Sequence, residues 1–68
     1  MSLDHIAIER RLAGDTSVTL NDDETTAAVR ILTERGETVA TIIRTTGAGE
    51  RVVMRIRREM KARERAAA

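Results

Sequence analysis

The 68-residue chain contains no cysteine, no proline and no aromatic side chain, and only one histidine. Without cysteine there is neither a disulfide framework nor a cysteine zinc site to staple so short a chain. Without Phe, Tyr or Trp, the core has to be assembled from Ile, Val, Leu, Met and Ala. A core of that size seldom contributes more than ~3–5 kcal/mol net, so support from an oligomer or a bound partner would be unsurprising. No apolar run approaches the length of a transmembrane helix. The N-terminus lacks the basic start and apolar block of a signal peptide, so a cytoplasmic protein outside the membrane is expected. The polar chemistry is equally sparse. Two serines (Ser2, Ser17), a distant His5 and no phosphate-binding Gly loop with its Lys offer no nucleophile–base constellation. Neither an enzyme, a metal site, a cofactor nor a small-molecule ligand is expected.

What is present favours helix. Ala, Arg, Glu, Leu and Met are abundant and nothing breaks the chain with proline, against which several Thr and Val weigh only weakly. An all-α fold in a single domain over residues 1–68 is expected, with an N-terminal helix and connector in 1–20 and a three-helix unit in 21–68. The formal net charge is only +1, but its distribution is lopsided. Residues 1–24 hold six acids against two bases, whereas residues 44–65 hold eight bases against three acids. Such polarity is what one end of a molecule shows when it faces a polyanion.

Four helices can be placed. The first spans about Leu3 to Ala13, capped by Ser2 or Asp4 and stopped by Gly14. Its apolar residues Leu3, Ile6, Ala7, Ile8 and Leu12 cover a broad face. Residues 15–20, rich in β-branched side chains and turn formers, read as an extended connector. Asn21 then caps a second helix whose first turn holds Asp22, Asp23 and Glu24, the spacing of a capping box at the positive end of the helix dipole. This helix should run to Arg35, bury Ala28, Ile31 and Leu32, and stop at Gly36. A third begins at Thr38 and ends before Gly47. A fourth, arginine-rich and longer, starts near Gly49 or Glu50 and runs to about Arg65. Its Val52, Val53, Ile56 and Met60 recur at spacings of three and four, one face of a helix.

The third and fourth helices, with the Gly47 turn between them, resemble the helix-turn-helix of small bacterial and phage DNA-binding proteins in the three-helix arrangement of homeodomain-like and resolvase-like domains. Residues 21–58 cover that unit. A wider likeness, to regulators of actinobacteria and their phages, rests on Leu32, Arg35, Gly36, Ile42, Thr46, Gly47, Glu50, Arg51, Val53 and Ile56. The chain departs from the usual pattern at three places. Ile43 stands where Ala is usual, Ala48 where a larger aliphatic residue is common, and Gly49 where Ser or Thr usually caps the last helix.

The resemblance implies a transcriptional regulator that binds double-stranded DNA with its last helix in the major groove and blocks or recruits polymerase by occupancy, in contact with the nucleoid. With Val53, Ile56 and Met60 turned inward, helical periodicity turns Glu50, Arg51, Met54, Arg55 and Arg58 outward. Arg51 and Arg55 are then the candidate base readers, because a guanidinium makes bidentate bonds to guanine. Arg58 would touch base or phosphate. Glu50 would accept from a cytosine amino group or orient Arg51, and Met54 would meet a thymine methyl. Gly49 belongs to the same contact set, and Thr38, Thr41 and Arg44 on the third helix are placed for backbone phosphates.

Plainer readings stand beside these. Arginines at helix ends are commonly solvated, and Arg55–Glu59 and Glu59–Arg63 have the spacing of surface pairs worth ~0.3–0.5 kcal/mol. Lys61, Arg63 and Arg65 are expected to add only long-range attraction. The run Asp22–Glu24 is explained by capping rather than by a cation, and His5 reads as a surface residue. Leu3, Ile6, Ile8 and Leu12 suit either a homodimer contact or a helix folded back on its own core. A second functional class also remains open, a helix-turn-helix scaffold that docks on polymerase or on a phage recombination or packaging protein.

Overall fold

The computed structural model describes residues 4–67, which form four helices and no strand: α1 His5–Leu12, α2 Asp22–Glu34, α3 Val39–Thr46 and α4 Glu50–Ala67. The protein is all-α. The first three helices begin at side-chain caps carried in the sequence. Asp4 caps α1, its carboxylate accepting from the Ala7 amide at 3.1 Å. Asn21 caps α2 in a complete capping box, with its side chain accepting from Glu24 N and the Glu24 carboxylate accepting from Asn21 N. Thr38 caps α3 by accepting from Thr41 N at 3.2 Å. After α2, Gly36 takes a left-handed φ of 81°. There its amide donates to Thr33 O and the Glu37 amide to Leu32 O, a paired arrangement that satisfies two otherwise orphaned helix carbonyls.

The core lies between α2, α3 and α4. Val29, Leu32, Ile42, Ala48, Val53 and Ile56 are buried in one cluster, with Leu12, Val39, Ile43, Val52 and Met60 packed against it. Ala28 and Ile8 are buried beside that cluster. α1 packs on α2 and α3 and makes no contact with α4, which leaves the far side of α4 uncovered.

Four expectations need correction. In α2, Val29 is fully buried and Ile31 only half-buried. The helix is rotated by part of a turn from the orientation assumed, so that the 28–29–32 edge faces α3 and α4. The first helix spans His5–Leu12 rather than Leu3 to Ala13, with Asp4, one of its two expected caps, in place, while Ser2 and Leu3 lie outside the described residues. The 15–20 segment is not simply extended. It opens in a tight turn, with Ser17 donating through both its amide and its hydroxyl to the Asp15 carboxylate. Those two bonds hold the exposed Asp15 carboxyl below its ordinary pKa, with Arg10 and Arg11 adding to the effect. Finally, α4 continues past Arg65 to Ala67.

α1 packs back on its own core, with Ile8 buried and Leu12 half-buried against the cluster. Of the four candidates for a dimer contact, only Ile6 stands exposed among the described residues, at 67 %. A lone exposed Ile is ordinary for a protein surface.

Candidate functional site

The connection from α3 to α4 is built from three residues, Gly47, Ala48 and Gly49. Gly47 has φ 75° and ψ 3°, a conformation that costs a side-chain-bearing residue about 1–2 kcal/mol. Its amide closes the helix on Ile43 O at 2.8 Å. Thr46, buried at 6 %, donates from its hydroxyl to Ile42 O at 2.7 Å and accepts from Ala48 N at 3.2 Å. That single hydroxyl ties the last turn of α3 to the connection. Ala48 is buried in the core and Ile43 is half-buried against it, which is how a large residue on α3 and a small one in the turn are both accommodated. Gly49 is exposed, and its carbonyl accepts from Val53 N at 3.1 Å, opening the first turn of α4.

A charged residue from α1 completes the turn. Arg11 donates from Nε to Thr45 O at 2.8 Å, and from one terminal nitrogen to Thr16 O at 3.2 Å and Val18 O at 2.8 Å. Its other terminal nitrogen lies 3.1 Å from where a Cβ on Gly47 would sit. A cation is thereby placed at the carbonyl end of α3, where the helix dipole favours it. Arg11 also gathers the 15–18 turn, the C-terminus of α3 and the α3–α4 connection around one side chain. No local pattern marks it, since its α3 partner is 34 residues away in sequence. Glu24 is likewise more than a cap. It is buried at 6 %, and its second oxygen accepts from Asp4 N at 2.9 Å, joining the start of α1 to the start of α2.

Beyond the turn, α4 is 18 residues long, about 27 Å at the helical rise. Val53 and Ile56 are buried and Met60 is half-buried. Glu50, Arg51, Met54, Arg55 and Arg58 are all exposed on the opposite side, and the five together line one shallow surface hollow. Met54, 43 % exposed, is the one large apolar side chain there. Arg55 Nε lies 4.0 Å from Glu59 Oε1, a pair open to solvent on both sides. No other ion pair forms among the described residues, so the equally spaced Glu59 and Arg63 do not meet, and Arg51 and Arg58 carry no carboxylate partner.

The α3 candidates are disposed differently. Thr38 and Arg44 are exposed and Thr41 is half-buried. The Thr38 hydroxyl donates to the Thr41 hydroxyl at 2.9 Å, so the two already engage each other at the start of α3. Among the described residues, no group of three metal-ligating side chains gathers, and no helix is long and apolar enough to cross a membrane. The arrangement presents hydrogen-bond donors and positive charge on a firmly braced helix. No family model, curated protein or solved structure matches the chain.

Proposed function

We propose that the protein is a sequence-reading binder of double-stranded DNA, a helix-turn-helix regulator of transcription that acts by occupancy and performs no chemistry. In this reading α3 braces the turn and the first half of α4 enters the major groove. The observation that carries it is the outward face of Glu50, Arg51, Met54, Arg55 and Arg58, exposed together on a helix whose other side is locked into the core. Arginine forks suit the paired acceptors of guanine, Glu50 suits the cytosine amino group, and Met54 suits a thymine methyl. Arg44 and the hydroxyl-bearing start of α3 add backbone contacts that fix register without reading sequence. A single short reading helix covers few base pairs, so useful affinity calls for two copies on a two-fold site or a tandem array.

Selection of bound sequences from a random duplex pool tests this reading. The expected result is an enriched site containing guanines, palindromic where two copies bind. Arg51→Ala with Arg55→Ala should relax the preference at particular guanine positions, at ~1–3 kcal/mol for each bidentate contact. A pool that stays random, or a preference untouched by the double substitution, removes α4 as the reader.

A further inference from the structure

A second hollow, wider than the first, runs between the C-terminal half of α2 and the part of α4 that extends past the core. It is an open groove of about 1030 Å³. Arg30, Arg57, Arg58, Lys61 and Arg63 line it, against only two carboxylates, Glu34 and Glu64. None of these seven groups forms an ion pair. Arg30, half-buried on α2, faces the four cations that α4 contributes to the groove. Five cations against two carboxylates make an anionic ligand the fitting occupant.

We infer that this groove holds one strand of the DNA backbone, with Arg30, Arg57 and Lys61 as phosphate contacts flanking the α4 reading face. The inference rests on the DNA-binding reading and extends it to residues outside the recognition face. Continuity supports it: Met54 and Arg58 line both hollows, so a ligand on the outer face of α4 passes directly into the groove. Length supports it too. Along α4 the groove runs from Met54 to Ala67, about 20 Å of helix, while successive phosphates on a strand are spaced ~3.4 Å along the duplex axis. The half-buried Val39 and Met60 offer apolar contact to the sugars between phosphates. An acidic protein surface, including the Asp22–Asp23 end of a second copy, has the complementary charge but not the continuity with the reading face.

Affinity for the selected duplex, measured over a series of salt concentrations, decides the matter. Arg57→Ala with Lys61→Ala changes side chains that make no hydrogen bond, and a cooperative thermal melt verifies folding. Each lost phosphate contact lowers the salt slope by ~0.9, so the double variant should lose ~1.8 and addition of Arg30→Met ~2.7. Affinity should fall alike for all sequences, with base preference unchanged. Wild-type binding whose slope and affinity survive both variants overturns the groove and leaves the reading helix standing. Failure of the wild type to bind any duplex overturns both. Sedimentation that shows wild-type self-association lost in the double variant, with the salt slope unchanged, assigns the groove to a second copy and overturns the inference.

Discussion

At the scale of single residues, the polar groups that matter most are those that point inward. Arg11, on a helix whose other charges are solvated, binds three backbone carbonyls from two separate segments. It acts as an internal strut for the α3–α4 connection. Hydrogen bonds from a charged donor contribute about 1.5–3 kcal/mol each when well shielded, and the one to Thr16 is exposed and contributes less. Arg11→Met retains the aliphatic stem and should lower unfolding free energy by about 2 kcal/mol in urea titration. It should also loosen the turn, read as faster amide exchange at Gly47 and Ala48. Unchanged stability and exchange would show that the three bonds merely decorate the surface. The Thr46 hydroxyl has a similar bracing role from the other side of the turn.

At the scale of elements, the starts of α1, α2 and α3 are fixed locally by side-chain caps, and α4 follows the Gly47 turn, which is why the order and approximate bounds of the helices are legible in the sequence. Asn21 with Glu24, Thr38, and the glycines at 36 and 47 operate through neighbours three to five residues away, so a linear reading finds them. The inward stripe of α4 is legible for the same reason: Val53, Ile56 and Met60 repeat at the period of the helix, and the exposed face follows by geometry. What a linear reading misses depends on rotation and on distance in the chain. Ala27, Ala28, Val29, Ile31 and Leu32 form a nearly continuous apolar run, so periodicity does not settle which edge of α2 is buried, and Val29 takes the place assigned to Ile31. Arg11 and the second oxygen of Glu24 find partners 34 and 20 residues away, and no spacing rule announces such contacts. Arg30 escapes for a related reason, since its groove exists only once α2 and α4 are packed together.

The end of α4 makes a further prediction at this scale. Residues 61–67 are all exposed and make no ion pair. A chain ending at Met60 should therefore stay folded, its melting midpoint lowered by no more than a few degrees, since about 1 kcal/mol corresponds to ~4–8 °C in a domain of this size. Loss of the Lys61 phosphate contact and of the charges on Arg63 and Arg65 should weaken duplex binding most at low salt, where counterion release and unscreened attraction are strongest. A cooperative collapse of the shortened chain would mean that the extension braces the core.

At the scale of the whole molecule, two asymmetries coincide. α1 covers α2 and α3 but not α4, and the bases concentrate on α4 while the N-terminal third is acidic. One side of α4 is thus left both uncovered and positive, on a molecule with principal extents of 38 × 27 × 19 Å. A polarised charge distribution of this kind orients a protein as it approaches a polyanion and speeds productive encounter.

The most direct test of the central claim is a backbone amide chemical-shift map of the isotope-labelled protein titrated with its selected duplex. The account predicts that the largest changes fall at Gly49 to Arg58, with smaller ones at Thr38 to Arg44 and along the groove at Arg57 and Lys61, and little change in α1. Changes centred on α1 and the acidic start of α2, or an α4 that does not respond to saturating duplex, would contradict it.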